Sequence, residues 1–141
     1  MIAELIMFFT MLVPSSAAAD PPGFVLWPKG VPPGGLNSKA QFPNHTLSVS
    51  HRDKDGLVEI HQKFDDVIVV QTGIAVLIVG GEVIEPASPE PGEIRGRSIR
   101  GGTKRSVTLG DVIHITAGTP HQFLIASGDQ ITYILVKIAI P

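Results

Sequence analysis

Apolar and polar residues alternate along most of the chain, and this pattern predicts short β-strands. Residues 46–52 are an example, because Leu47 and Val49 are separated by Ser48 and followed by Ser50. A period of two puts successive side chains on opposite faces of a strand, and no segment shows the 3.6 period and caps of a helix. Further strands are predicted over residues 57–61, 67–70, 74–79, 107–109, 112–116, 122–126 and 131–140. Many short strands predict an all-β sandwich or small barrel.

Turn-forming residues mark where the predicted strands end. Asp53–Gly56 is typical of a tight hairpin turn between strands 46–52 and 57–61, with Gly56 taking a positive φ angle. Gln71–Gly73 is predicted to be a hinge between the two apolar strands that flank it.

An arm of different composition precedes the strands. The stretch 20–37 holds five prolines and four glycines, which forbids a regular helix there. Trp27, the only tryptophan, is expected to pack this stretch against the rest of the molecule. We therefore predict an extended arm over residues 20–44 and a barrel over residues 45–141.

The first nineteen residues resemble an export signal. Residues 5–13 are an apolar run, and Ala17 and Ala19 fit the small-x-small pattern of a cleavage site before Asp20. The run is shorter than the ~20 residues that cross a bilayer, so no membrane association is expected after signal removal. No basic residue precedes the run, and a buried N-terminal helix is the alternative. The favoured interpretation is a signal peptide over residues 1–19 and a periplasmic or secreted mature protein.

Composition excludes several classes of function. Eleven basic and thirteen acidic residues give a formal charge of −2, which excludes an electrostatic nucleic-acid binder. The absence of cysteine excludes disulfides, thiolate nucleophiles and cysteine-ligated metal sites. The sequence also lacks the serine-hydrolase elbow, the phosphate-binding loop, the dinucleotide-binding glycine motif and the HExxH zinc motif. Five histidines remain as the main candidates for chemistry.

Residues 82–106 interrupt the strand pattern with a charged segment, acidic in its first part and basic in its second. One interpretation is a solvated excursion whose charges partly pair. The other is that Arg95, Arg97 or Arg100 turns inward and binds an anionic substrate, because a guanidinium group fits a carboxylate. The sequence leaves the direction of these side chains open.

A possible metal site is built around Glu59 and His61, which are two positions apart on a predicted strand and so leave the same face. Asp66 follows at a short bend, and a glycine- and proline-rich turn could fold His121 back towards that face. Two imidazoles with one or two carboxylates suit a divalent first-row metal. Burial of two neighbouring carboxylates without a cation would be costly, and a divalent ion is expected to relieve that cost. A chance Glu-x-His pair without a metal is the alternative.

Two segments resemble the two motifs of the cupin family. Residues 56–73 reproduce the frame of the first motif, which is a glycine followed by Glu59-x-His61, Asp66 and a final glycine. Residues 110–121 run Gly-Asp, a strand, Thr-x-Gly and a final histidine, close to the second motif. The resemblance covers nearly all of the predicted mature chain.

The resemblance implies a double-stranded β-helix, a jelly-roll barrel of two antiparallel sheets around a pocket, with a metal in the pocket. Carried across by position, the implied metal ligands are Glu59, His61, Asp66 and His121. Glu59 replaces a histidine of the usual pair and Asp66 the usual glutamate, and a carboxylate in place of an imidazole favours Fe, Mn, Ni or Zn over a soft ion. The resemblance also implies a homodimer, for which the arm and the C-terminal strand 131–140 could supply an interface.

Other polar residues are candidates for binding or catalysis. His51 and Tyr133 are candidate acids or bases at the pocket, and Gln71, Gln122 and Arg97 are candidate substrate-binding residues. The apolar walls of the pocket are predicted to be Phe64, Ile68 and Phe123.

A cupin barrel is compatible with several functions, since fold does not settle function. The first hypothesis is a metal-dependent enzyme, such as a dioxygenase, isomerase or lyase, that acts on a small organic acid or sugar-derived ligand at the metal. The second is a non-catalytic binder of a metal or small molecule. The third is a homodimer with a vestigial, metal-free pocket.

Overall fold

A computed structural model describes residues 19–141 of the chain. The predicted signal peptide over residues 1–19 lies outside the described residues except for Ala19. Within residues 19–141, all regular structure is β apart from one 3₁₀ turn at Pro28–Gly30, which confirms the all-β prediction. No helix in this described range is long and apolar enough to cross a membrane.

Twelve strands succeed one another in the described part of the chain. They are β1 (Lys39–Gln41), β2 (His45–Arg52), β3 (Val58–His61), β4 (Phe64–Val79), β5 (Glu82–Ile84), β6 (Ala87–Glu90), β7 (Glu93–Gly96), β8 (Ser98–Arg100), β9 (Thr103–Thr108), β10 (Val112–Ile115), β11 (His121–Leu124) and β12 (Ile131–Ala139). The arm predicted over residues 20–44 therefore ends in a strand, β1, which pairs antiparallel with β2.

Ten of these strands form one curled sheet, and β4 connects its two halves. The strand order is β1-β2-β12-β4-β11-β3-β7-β6, and β9 and β10 also pair with β4. The first half of β4 pairs with β12 and β10, whereas its second half pairs with β11 and β9. The sheet thereby curls over into two layers. Because β12 has a neighbour on each side, the C-terminal strand has no free edge.

The bend in β4 lies where the sequence predicts a hinge. Gln71–Gly73 does not separate two strands, however, but lies inside one strand of 16 residues. The pairing register with β12 shifts by one residue here, so Gln71 forms a β-bulge that bends the strand. Gly73 has a φ of +82°, and a Cβ atom there would lie 1.8 Å from the carbonyl oxygen of Gln130. Only glycine fits this position.

The predicted hairpin at Asp53–Gly56 is wrong. β2 pairs with β1 and β12, whereas β3 pairs with β11 and β7, so the segment crosses from one layer to the other. Gly56 does not adopt a positive φ angle. Contacts with the end of β11 fix the crossing instead: the Gly56 N–H donates to the Phe123 carbonyl oxygen (2.9 Å), and Asp55 accepts from the Ile125 N–H (2.7 Å).

The charged segment 82–106 is more ordered than a solvated excursion. β5 and β8 form a separate two-stranded sheet, and β6 and β7 form a hairpin at the edge of the main sheet. β7 pairs with β3, which places Arg95 opposite Glu59 and Glu93 opposite His61. This pairing brings part of the charged segment to the site described below.

The hydrophobic core fills the space between the two layers. Ile68 and Phe123, expected to form pocket walls, belong to this core, and the Phe123 ring stacks on Tyr133 with centroids 5.0 Å apart. Burial of each large apolar side chain contributes roughly 1.5–3 kcal/mol. Other core residues are Val70, Leu77, Val107, Ile115 and Ile131. This core joins residues of β4, β9, β10, β11 and β12 across the two layers.

Candidate functional site

Three side chains meet where β3 and β11 run side by side. Glu59 and His61 leave the same face of β3, and the pairing register puts His121, the first residue of β11, directly opposite Glu59. The turn before His121 is held by two hydrogen bonds, from the Gly118 N–H to the His61 carbonyl oxygen (2.8 Å) and from the Ala117 N–H to Asp65 (2.7 Å). One potential ligand atom from each of the three side chains lies within 4.8 Å of the other two.

The two imidazole rings present the same nitrogen to the centre of this group. Nδ1 of His61 lies 2.6 Å from a carboxylate oxygen of Glu93, and Nδ1 of His121 lies 3.1 Å from the carbonyl oxygen of Thr119. Because these oxygens accept hydrogen bonds, a neutral ring at either position carries its proton on Nδ1 and has the lone pair on Nε2. Both Nε2 atoms lie 3.8 Å from Oε2 of Glu59. The donor set therefore fits a divalent first-row metal.

Asp66 lies beside the three converging groups but is paired with a lysine. Its Oδ2 is 3.4 Å from Nε2 of His61 and 3.7 Å from Nε2 of His121. Its Oδ1 is 2.9 Å from Nζ of Lys137, and Asp66 is only 2% exposed. Of the four predicted ligands, the structure thus brings Glu59, His61 and His121 into one group, with Asp66 at its edge in an ion pair.

The other carboxylates also have basic partners. Oε1 of Glu59 lies 3.6 Å from Nη2 of Arg52 and 4.0 Å from Nε of Arg95. Nη1 of Arg95 donates to Glu93 at 2.8 Å. Arginine and lysine side chains therefore already offset part of the carboxylate charge that a divalent ion is expected to relieve.

Glu93 is a site residue that the sequence reasoning missed. It lies in the charged segment, and only the pairing of β7 with β3 places it against His61. Burial by itself would raise the pKa of Glu93, but the hydrogen bonds from Arg95 and His61 outweigh it and lower the pKa below its ordinary value. Burial also lowers the pKa of His121, which favours the neutral imidazole that a metal requires.

A cavity of about 610 Å³ opens beside the three converging groups. Its lining residues are Asn37, Lys39, Gln41, Thr46, Ser48, Val49, Ser50, Arg52, Glu59, His61, Phe64, Glu90, Arg95, Tyr133, Leu135 and Lys137. Besides Glu59 and His61, the lining includes two residues that were predicted to form the pocket, Tyr133 and Phe64. The hydroxyl oxygen of Tyr133 accepts a hydrogen bond from Nε of Arg52 (2.9 Å), and burial raises the pKa of this tyrosine.

The other predicted pocket residues lie outside this lining. His51 is exposed and is hydrogen-bonded to Thr132, and Gln71 donates to the carbonyl oxygen of Lys29. Gln122 is buried and donates to the carbonyl oxygens of Gly56 and Arg97. These three side chains contact protein groups rather than the cavity.

The three arginines that the sequence offers as binding candidates, Arg95, Arg97 and Arg100, point in different directions. The side chain of Arg97 is 71% exposed and faces Glu85 at 3.5 Å, and that of Arg100 is equally exposed and faces Glu82 at 3.1 Å. Arg95 instead lines the cavity. Of these three arginines, Arg95 therefore lines the cavity, whereas Arg97, predicted to bind substrate, lies outside this lining.

Comparisons with known proteins bear on the fold. No family model and no curated protein matches the sequence. A Klebsiella pneumoniae protein with a double-stranded β-helix domain superposes with a TM-score of 0.54 and 14% sequence identity over 74% of this chain and 76% of that one. A cupin 2 conserved barrel domain protein from Salinispora arenicola gives a TM-score of 0.49 and 17% identity over 72% of each chain.

Another similar structure belongs to a longer chain. The polyketide cyclase RemF from Streptomyces resistomycificus matches with a TM-score of 0.48 and 17% identity over 67% of this chain, and the match spans about half, 54%, of that protein. At such identities the likeness concerns the course of the backbone. The chain therefore has the double-stranded β-helix fold of the cupins.

Proposed function

We propose that the protein is an exported, metal-binding cupin in which Glu59, His61 and His121 hold a divalent ion of Fe, Mn, Ni or Zn. The cavity beside these residues receives a small organic acid or a sugar-derived ligand. The observation that carries the proposal is the approach of one oxygen and two Nε2 atoms within 4.8 Å of one another. Two imidazoles and one carboxylate suit these metals, and Glu59 and His61 also line the cavity.

The surrounding residues prepare this donor set. Glu93 holds the proton of His61 at Nδ1, and the Thr119 carbonyl does the same for His121. Arg52 and Arg95 attract Oε1 of Glu59, which leaves Oε2 to face the histidines. A bound divalent ion would act as a Lewis acid on an oxygen of the ligand. Such outer contacts fix the orientation of ligating side chains.

A second candidate function, a metal-free binder with the same cavity, is favoured by the basic partners of the carboxylates. Lys137 pairs with Asp66, and Arg95 pairs with Glu93. These carboxylates therefore have positively charged partners without a bound metal ion. Metal binding by the unsubstituted protein separates the two functions.

Metal content tests the proposal. Purified protein is loaded with Zn²⁺ or Mn²⁺, dialysed and analysed for metal by mass spectrometry. We expect about one ion per chain, and we expect His121→Ala to lose most of it. His114→Ala is the matched control, since that side chain is 56% exposed and lies away from the cavity lining. Unsubstituted protein that retains no ion would favour the metal-free binder, and equal metal content in the two variants would place the ion away from His121.

Export is part of the same proposal and has its own test. The apolar run and the Ala17 and Ala19 pattern support cleavage before Asp20. The intact mass of the protein from its native host should correspond to a chain that begins at Asp20. A mass that still includes residues 1–19 would contradict export by this route.

A further inference from the structure

One wall of the cavity is unusual in being polar although it faces the inside of the barrel. Thr46, Ser48 and Ser50 alternate on one face of β2 and all line the cavity. Their pairing partners continue the row sideways, because Lys39 is opposite Ser48 on β1 and Lys137 is opposite Thr46 on β12. Most small-molecule pockets are lined chiefly by apolar side chains. This wall instead offers hydroxyl and ammonium groups in a regular array.

The remaining lining residues strengthen this polar character. Asn37 and Gln41 add amide groups beside the hydroxyl row. Only Val49, Phe64 and Leu135 give the lining purely apolar side chains. A cavity of this kind holds either water or a ligand with many hydrogen-bonding groups of its own. Several hydroxyl groups on one small ligand would match the wall.

The charges around the cavity favour a ligand that carries a negative charge in addition to its hydroxyl groups. Four basic and two acidic side chains line it, and Asp66 and Glu93 lie directly behind two of the basic ones. Four positive and four negative charges therefore balance before any metal is bound. A divalent cation held by Glu59, His61 and His121 would leave two positive charges in excess. A ligand with a carboxylate would offset that excess, whereas a neutral ligand would not.

The positions of the basic groups indicate where the carboxylate lies. Arg52 and Arg95 flank Glu59, and Lys137 flanks Asp66, so all three lie next to the converging ligand groups. The hydroxyl-bearing residues follow β2, which lies between β12 with Lys137 and β1 with Lys39. The hydroxyl wall therefore begins beside one of the basic groups, since Thr46 is opposite Lys137.

We infer that the ligand is an acidic monosaccharide, a sugar acid of the uronic or aldonic type. Its carboxylate lies near Arg52, Arg95 and Lys137, and its hydroxyl groups face Thr46 and Ser48. This inference rests on the proposed metal site, because the excess of positive charge comes from the metal. The cavity volume of about 610 Å³ lies within the range of ~300–1,000 Å³ that is usual for ligand pockets.

Three probes separate the two features in a calorimetric titration of the zinc-loaded full chain. Glucuronate carries a carboxylate and hydroxyl groups, glucose carries only the hydroxyl groups, and cyclohexanecarboxylate carries only the carboxylate. We expect glucuronate to bind at least ~10-fold more tightly than either of the others, because each feature adds hydrogen bonds, some of them to charged groups. A protein-free zinc titration corrects for association of the probe with the ion.

A double variant tests the hydroxyl wall itself. Thr46→Val with Ser48→Ala should weaken glucuronate binding ~10-fold and leave cyclohexanecarboxylate binding and the zinc content unchanged. The control is Thr103→Val with Ser106→Ala on β9, where both residues are exposed. Unchanged zinc content in the same samples shows that the variants are folded at the site.

The outcomes distinguish this inference from the proposed function. If the unsubstituted protein holds zinc but binds the three probes equally, or binds none of them, the assignment of a sugar acid is overturned and the metal site stands. If glucose or cyclohexanecarboxylate binds as tightly as glucuronate, one of the two features is wrong and the assignment is again overturned. If the unsubstituted protein holds no zinc, the proposed function fails and the inference fails with it.

Discussion

Glu93 sets the orientation and the proton position of the His61 ring. Its carboxylate oxygen lies 2.6 Å from Nδ1 of His61, and the same oxygen accepts from Arg95 at 2.8 Å. Glu93→Gln keeps the size of the side chain but removes its charge. We expect metal affinity to fall by ~10–100-fold, as is usual when the partner of a ligating histidine is changed.

A competition titration with a coloured chelator measures this affinity. Glu82→Gln is the matched control, because the side chain of Glu82 is 66% exposed and pairs with Arg100 on the separate small sheet. Equal affinities for the two variants would show that Glu93 does not position the ring.

Lys137 offers a second prediction at the level of single residues. Its ammonium group is the close cationic partner of Asp66, which is buried. Removal of one member of a buried ion pair typically costs 3–5 kcal/mol, and since Lys137 is one-fifth exposed we expect Lys137→Met to cost about 3 kcal/mol. A divalent ion should restore part of that loss, so metal should stabilise this variant more than the unsubstituted protein.

Thermal unfolding with and without Zn²⁺ checks the prediction for Lys137. Lys104→Met, on the exposed face of β9, is the control and should change neither curve. If added Zn²⁺ raises the melting temperature of Lys137→Met and of the unsubstituted protein by the same amount, Asp66 gains nothing from the ion.

Individual site residues differ in how far the sequence could predict them. Glu59 and His61 are predictable, because a period of two places them on one face whatever the rest of the fold does. Glu93 and Arg95 are not, because their place at the site depends on which strand pairs with β3. Lys137 lies opposite Thr46 and Asp66 because β12 pairs with β2 and β4, which are distant from it in the sequence. A single sequence contains no local signal for such partners.

At the level of elements, the bend of β4 depends on Gly73. Its φ of +82° and its approach to the Gln130 carbonyl leave no room for a side chain. Gly110 provides a matched comparison, with a φ of +90° and open space where a Cβ would lie. Each Gly→Ala change should cost ~1–2 kcal/mol for the left-handed backbone. Gly73→Ala should cost a further ~1–3 kcal/mol for the clash.

Urea unfolding of the two alanine variants measures the difference. Both variants lose the same free energy from the left-handed backbone. The difference between their unfolding free energies therefore measures the clash of the Cβ atom at position 73 with the Gln130 carbonyl. Equal losses of stability would mean that β4 and the segment around Gln130 move apart at little cost, and that the bend does not depend on this contact.

The connections between elements explain where prediction failed. Asp53–Gly56 has the composition of a hairpin turn, yet β2 and β3 belong to different layers. The same turn residues serve a crossing connection, because they satisfy backbone groups locally and do not determine which strands pair. Gln71–Gly73 was predictable as a bend, but not as a bulge within one strand, because the extra residue is defined only against β12.

At the scale of the whole molecule, the alternating pattern predicts where the strands are. It does not predict which face of a strand points into the barrel. In β2 the predicted apolar face contains Leu47 and Val49, and Val49 is indeed buried at 1% exposure. The polar face, with Ser48 and Ser50, nevertheless lines an internal cavity rather than the outer surface. A sequence pattern assigns polar residues to solvent by default. Only the way the sheet curls over shows that this face lies inside the barrel.

The homodimer remains a prediction for the whole molecule, and the arm is one candidate interface for it. The arm exposes Phe24 and Leu26, at 50% and 64%, and leads into β1, which stands at an end of the strand order. Exposed apolar side chains next to a sheet edge favour association of two copies. Light scattering at micromolar concentration should therefore give twice the mass of one chain. Leu26→Asp should shift the protein to a monomer, whereas Leu57→Asp should not, although Leu57 is 60% exposed. A monomeric unsubstituted protein would contradict the dimer, and equal effects of the two substitutions would place the interface away from the arm.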